Sequence, residues 1–397
     1  MAKLWKKLPP PMADNFGFIE VMNKTDGMGI IDDCSEYRTS AERRRGHREN
    51  GEAQMRVVHT EISSEDVVSG TRQKVRDTFE SCRKDFAPEF VLLSAGPCSA
   101  MIGTDLEEIA ECMEQESGIK TSAIKLSGHK AYDTGISETL LAMAKLLTEP
   151  GNIRAGSVNI LGATALDWQE ENAGALRGWL ESQGFSVTAD FGGAEKAENI
   201  AKAAEAQVNL VVTVSGLAVA KYLKNRYGTP YIAAAPFGKS WTKCVLKALR
   251  SQSQSECQRA GQKSEYDGRF EEQKPERSGQ PAVLIIAEQF MGNAIRETLL
   301  CDYEMENIRV CTFYTLEKAL AQPGDRRIRS EQEAEKLLKE GGFHTIIADP
   351  LLRCLAPEGS RWVDLPHKAF QLYGEYQTLP LFFGENLNRW LDGQLRS

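Results

Sequence analysis

The chain has 397 residues, of which 41% are hydrophobic, and a formal net charge of −8. That length exceeds a single core and implies two or three domains; no apolar run reaches a membrane span, and a pI near 5.5 argues against nucleic acid as the main partner. Nine cysteines, odd in number and scattered, argue for a reducing cytoplasm and for core or metal use rather than a disulfide framework.

Met1 to Met12 is basic and proline-rich but lacks the apolar core of a secretion signal. The polar stretch after it reads as irregular, with Cys34 in a loop-like context. Strand–helix alternation is expected from Phe90 onward, which implies parallel sheets with right-handed crossovers. Phe90–Leu93 reads as a buried strand, and Thr104 or Asp105 can cap the helix that follows. Thr121–Leu126 is a second strand and Gly135–Leu147 an amphipathic helix. Pro150–Gly156 is a candidate linker. Strands at Ser157–Leu161, Phe185–Ala189, Leu210–Thr213 and Pro230–Ala234 then alternate with helices at Trp168–Gln183, near Ala194–Ala206, and at Leu217–Tyr227 and Trp241–Arg250. Ser251–Gln280 is polar and without apolar period, a linker or surface excursion. Strands at Ala282–Ala287, Ile308–Phe313 and Thr345–Ala348 alternate with helices at Gly292–Leu300 and Glu331–Lys339, and a last helix lies near Glu385–Leu391. The economical reading is α/β, with three Rossmann-like domains of parallel sheets around a central cleft: 1–150, 151–250 and 281–397, with 251–280 between the last two.

Cys98 is the most informative residue. It follows a buried strand and a Gly-Pro break, at the carboxyl end where α/β sheets present ligands. A helix amino terminus beside it lowers a thiol pKa, and metal ligation needs the thiolate. A lone cysteine is otherwise a small core residue. Cys82 and Cys112 read as packing on helices, and Cys244, Cys301, Cys311 and Cys354 as core. Gly238-Lys239-Ser240 sits where a phosphate loop belongs, but position 233 is Ala233 rather than the glycine that motif requires, and no G-x-G-x-x-G follows a strand. An ATP, NAD or flavin site therefore has no support. His129 is a possible proton donor or a backbone hydrogen-bonding residue. Asp105 and Glu108 read as helix-start charges.

Several segments in order resemble the nitrogenase component 1 family, α-type. These are Thr60–Gly70 with its Glu-x-Asp-Val-Val-x-Gly core, Cys98-x-x-x-Ile-Gly-x-Asp-Leu106, and Ser127-Gly-His129 with Gly135. Gly228-Thr-Pro-Tyr-Ile232, Pro236-Phe-Gly238 and Thr242 follow. The resemblance runs from about Cys34 to Leu391. It implies iron–sulfur ligation by Cys98 and Cys34, although Asp33 stands where the family usually has glycine and no cysteine precedes Cys34. A [4Fe–4S] cubane takes four thiolates, so two per subunit imply one cluster shared across a subunit interface, with a second copy or a sister subunit. It implies also an ATP-dependent iron protein as electron donor, and a cleft lined by Thr213, Phe237, Gly238 and Lys239. Lys239 could neutralise an anionic substrate or cofactor.

Thr213 stands where the family's cysteine binds the iron–molybdenum cofactor, and a hydroxyl is a poor ligand for a soft iron site. The cofactor's histidine would fall near Tyr373 or Gly374 and is missing; His367 is a possible stand-in or a structural residue. The resemblance therefore implies a reductase acting on something other than dinitrogen. A non-catalytic cofactor scaffold and a cluster-free small-molecule-binding protein are the alternatives.

Overall fold

The structure is a computed structural model that describes residues 5–34, 56–254, 283–370 and 380–395. Its strands form three parallel sheets. In the first, β1 (Met28–Asp32) lies between β2 (Val57–His59) and β3 (Phe90–Ala95), and β4 (Lys120–Ile124) flanks β3. In the second, β5 (Arg154–Leu161) lies between β6 (Ser186–Phe191) and β7 (Ala206–Val211), with β8 (Tyr231–Ala233) beyond β7. The third has β9 (Val283–Ile286) at its centre, β10 (Ile308–Thr312) and β11 (Arg326–Arg327) on one side, and β12 (Thr345–Ala348) and β13 (Arg361–Asp364) on the other. The α/β reading with parallel sheets is what the chain adopts.

Two corrections concern the ends of the predicted elements. The alternation begins at Met28, not Phe90: β1 pairs with β3 over its full length, from Met28 opposite Val91 to Asp32 opposite Ala95. This strand escaped notice because Met-Gly-Ile-Ile-Asp is short and lacks a bulky run. Its glycine is required, since a Cβ on Gly29 would lie 2.9 Å from the Phe18 ring. The helix expected at Trp241–Arg250 runs from Lys239 to Gln254, past the predicted start of the polar excursion. The rest of that excursion lies outside the described residues.

The first sheet is buried on both faces, the usual condition of a parallel sheet. Met28, Ile30, Val91 and Leu93 pack under the helices Arg72–Phe86 and Leu106–Ser117. Ile31, Phe90 and Leu92 face the other way, into a core that continues through the second and third sheets. The helices Asp14–Met22 and Tyr132–Leu147 cover that face. The amino-terminal segment crosses the molecule: Lys6, Lys7 and Leu8 donate backbone N–H groups to Glu331 Oε2, and Met12 N–H to Ala369 O. Among the described residues no helix is long and apolar enough to cross a membrane.

Candidate metal centre and interdomain pocket

Cys34 and Cys98 leave the carboxyl ends of adjacent parallel strands, β1 and β3, and their sulfurs lie 3.5 Å apart. The residue that departs from the resembled pattern explains why. Asp33 Oδ1 accepts the backbone N–H of Cys34 at 2.8 Å and that of Cys98 at 3.2 Å, so one carboxylate clamps both loops. Its Oδ2 is buried with no partner. Gly96 makes the room, because a Cβ there would fall 1.9 Å from that oxygen. The ligand atoms of Asp33, Cys34 and Cys98 all lie within 4.8 Å of one another. Asp32 braces the loops from below, accepting hydroxyl hydrogens from Thr60 (2.8 Å), Thr71 (2.8 Å) and Ser99 (2.6 Å).

The expected helix starts only at Leu106, capped by Asp105; Cys98 lies instead in the first turn of a separate short helix, Pro97–Ile102. The expected fall in its pKa is not found. That helix is barely two turns long, and burial, with the Cys34 thiol and the Asp33 carboxylate beside it, pushes the Cys98 thiol up to about 12. A metal cation would reverse this balance, since a coordinating thiol is deprotonated outright. Two soft sulfurs and an unpaired buried oxygen form a donor set that fits an iron site. On the neighbouring helices, Val68 and Met101 are 89% and 83% exposed, with Val67 and Ile102 also open to solvent.

The remaining described cysteines separate. Cys311 is buried; Cys82, Cys112 and Cys244 are half-buried. Cys301 and Cys354 are exposed, against the expectation that they pack in the core. Cys301 lies near the end of the helix Gln289–Tyr303, and Cys354 lies in the turn Pro350–Leu355, where its thiol reaches Leu351 O at 3.3 Å.

The residues expected to line the cleft are placed as follows. Thr213 is fully buried and donates its hydroxyl to Gly162 O at 2.9 Å. Phe237 is buried too, its ring centroid 4.4 Å from that of Trp168 and 6.3 Å from that of Phe382. Gly238 has φ +88° and abuts Thr298, where a Cβ would meet Oγ1 at 1.9 Å. Lys239 is exposed, its backbone N–H bonded to Asn388 Oδ1 at 2.8 Å, and Ser240 is held by Asp302. The phosphate-loop lookalike is thus occupied by its own chain. His129 is exposed, beside a Gly128 that packs on Pro97. Asp105 caps its helix by accepting Glu108 N–H at 3.2 Å, and Glu108 pairs with Arg72 at 2.9 Å. Tyr373 and Gly374 lie outside the described residues.

His367 sits elsewhere, in a pocket where the domains meet, of about 420 Å³ including its open mouth. Its Nε2 lies 3.2 Å from Asp167 Oδ1 and its Nδ1 3.2 Å from Tyr314 Oη. Tyr132, fully buried, donates its hydroxyl to Asp167. Glu288 and Asp349 complete the polar wall, and Phe313 and Phe370 belong to the apolar one. Burial pushes Glu288 up to about 8, with the Asp167 carboxylate adding to it, and holds the Tyr132 and Tyr314 phenols well above their ordinary value. Sequence reasoning missed Asp167, Glu288, Tyr314 and Asp349. The signal was there: Glu288, Tyr314 and Asp349 each follow the end of a parallel strand in the third sheet by one or two residues.

Comparison with known proteins agrees with this fold. The chain superposes on a solved structure titled "Nitrogenase Cp1 at pH 6.5" with a TM-score of 0.71 and 13% identity, over 98% of this chain and 93% of that one. It is 25% identical over 204 residues to the nitrogenase molybdenum-iron protein alpha chain of Methanothermobacter marburgensis. It is 23% identical over 190 residues to the nitrogenase iron-molybdenum cofactor biosynthesis protein NifE of Clostridium pasteurianum. It is also 24% identical over 204 residues to a light-independent protochlorophyllide reductase polypeptide of Nostoc punctiforme. These alignments span 49%, 47% and 48% of this chain and 42%, 41% and 40% of the respective relatives. The family described as nitrogenase component 1 type oxidoreductase matches residues 33–348, from the Asp33 clamp to the end of β12, and the chain belongs to that family.

Proposed function

We propose that this chain is an α-type component 1 subunit that holds an iron–sulfur cluster at Cys34 and Cys98, at an interface with a second subunit, and serves reduction of a substrate other than dinitrogen. The observation that carries the reading is the pair of thiols 3.5 Å apart on adjacent strand ends, clamped through Asp33. A cluster bound there supplies low-potential one-electron transfer, with an ATP-dependent iron protein as donor. The chain's own contribution is to hold two thiolates with little reorganisation and to offer Asp33 Oδ2 as a further oxygen donor. Two thiolates per subunit meet the four of a [4Fe–4S] cluster only across an interface, and the exposed Val67, Val68, Met101 and Ile102 give that interface an apolar rim.

A scaffold that carries a metallocofactor for another enzyme is the second reading. The relative named as a cofactor biosynthesis protein favours it, as does Thr213 at the position of a cofactor ligand.

Anaerobic purification with iron and sulfide analysis tests the cluster. Wild-type protein should carry about four iron and four sulfide per dimer, and Cys98→Ala should lose nearly all of it while keeping its helical circular dichroism. A folded wild-type protein that stays iron-free after reconstitution, alone and with a sister subunit, would rule the reading out. Turnover with reduced iron protein then separates reductase from scaffold.

A further inference from the structure

We propose that Cys34 and Cys98 are a reversible disulfide pair, which closes when a small disulfide oxidant reaches the metal-free chain and opens again under a thiol reductant. The two sulfurs already touch, at 3.5 Å. A disulfide bond is about 2.05 Å long, so closure asks for about 1.5 Å of movement, which a modest rotation of the two side chains supplies. The backbone holds the pair in place. β1 and β3 lie in register, Asp32 opposite Ala95, and Gly96 N–H returns to Asp32 O at 3.0 Å. Beyond that rung Asp33 Oδ1 accepts the N–H of Cys34 and of Cys98, so the two backbones are tied before any bond joins the sulfurs. The cysteines are 64 positions apart. In an unfolded chain, closing so long a loop costs entropy. Folding has already brought the ends together, which gives each thiol a high effective concentration at the other.

Both residues are half-buried rather than sealed in the core, so a small oxidant reaches them. Other thiols are engaged differently: Cys112 Sγ accepts an Arg72 N–H at 2.9 Å, and the Cys354 thiol turns to Leu351 O at 3.3 Å. The chemistry is thiol–disulfide exchange. The sulfur of Cys34 or Cys98 attacks glutathione disulfide, whose S–S bond breaks; a mixed disulfide forms and one glutathione leaves. The other cysteine sulfur then attacks the protein sulfur of that mixed disulfide. The Cys34–Cys98 bond forms and the second glutathione leaves. The two thiol protons end on the two glutathiones, and the two electrons lost by the cysteines reduce the oxidant. A sulfur so bonded has no thiolate to give a metal, so the closed pair turns iron away. That consequence rests on the cluster reading; the disulfide itself does not.

The test uses the full chain, freed of metal with a chelator, reduced, and equilibrated anaerobically with mixtures of glutathione and its disulfide. Free thiols are then blocked and the chain is cut with trypsin and Glu-C protease, which separates Cys98 from Cys112 at Glu107 and Glu108. Mass spectrometry should find a peptide pair joining Cys34 to Cys98 that dithiothreitol removes. In Cys98→Ser, Cys34 should stop at the mixed disulfide with glutathione, and Cys34→Ser should leave Cys98 in the same state. The glutathione mixture that opens the pair should be at least about tenfold more reducing for the folded chain than in concentrated urea. Circular dichroism melting establishes that the reduced chain and both variants are folded. No Cys34–Cys98 crosslink in folded wild-type protein at any mixture, or a pair that opens at the same mixture folded and in urea, overturns the proposal. None of these measurements uses iron. A chain that crosslinks and never carries iron would count against the cluster reading alone, and one that carries iron and never crosslinks against the disulfide alone.

Discussion

Arg296 and Asp325 are each about 1% exposed in their side chains and meet at 2.7 Å. Arg296 also reaches Asn293 Oδ1, and Asp325 accepts the backbone N–H of Val310 and of Gln322. Burying two charges roughly cancels their attraction, but removing one leaves the other stranded. Arg296→Met should therefore cost about 3–5 kcal/mol in urea unfolding, and adding Asp325→Asn should recover part of it. A loss under about 1 kcal/mol would mean water reaches the site. At the same scale, Asp33 was visible only as a mismatch in a resembled motif. Its role as a clamp depends on two amides 64 positions apart in the chain, which no local pattern encodes.

The helix Gln289–Tyr303 is capped by Glu288, whose Oε2 accepts the N–H groups of Phe290 (2.8 Å) and Met291 (3.0 Å). Its Oε1 accepts Val214 N–H at 3.0 Å, which ties the third sheet's unit to the second's. Glu288 titrates near 8 when folded, against an ordinary 4.5. Between those values the native state holds a proton that the unfolded chain has lost, so stability falls as pH rises and levels off above about 8. Asp190, pushed up to about 6 by burial, acts with the same sign but is half titrated at that pH and fades above about pH 7. Over the interval from about pH 7 to about 8, Glu288 therefore outweighs Asp190. Wild-type protein should show a falling urea midpoint across it, and Glu288→Gln a much flatter one; parallel slopes would assign the effect to another group.

At the scale of the whole molecule, the proposed shared cluster predicts association through the exposed apolar residues near it. Val68 and Met101 are large, nearly fully exposed and placed on the two helices that follow the β2 and β3 strand ends. Isolated apolar residues need no explanation, but several on the helices next to the proposed ligand pair are what the shared-cluster proposal requires. Val68→Glu with Met101→Glu should convert a dimer into monomers in sedimentation velocity, with iron content falling in step. A wild-type chain that sediments as a monomer and carries a full cluster would refute the shared site.

The three-sheet architecture was legible in the residues themselves, because parallel strands buried on both faces write continuous apolar runs such as Phe-Val-Leu-Leu before Cys98, punctuated by glycine and helix caps. The place of Cys98 just past the end of a strand was legible for the same reason. β1 was not, since five residues with an internal glycine carry too little pattern, and with it went the reason Cys34 belongs beside Cys98. The pocket was legible only in part: Glu288, Tyr314 and Asp349 follow strand ends and His367 stood out by residue type, but Tyr132, Asp167, Tyr314 and His367 lie up to 235 positions apart, so nothing local joins them. Local sequence determines which segments become strands and helices through side-chain periodicity and capping, which act over a few residues. Which strand ends face one another is decided by how the sheets pack, and that packing is what joins two thiols with a carboxylate, and an imidazole with a phenol.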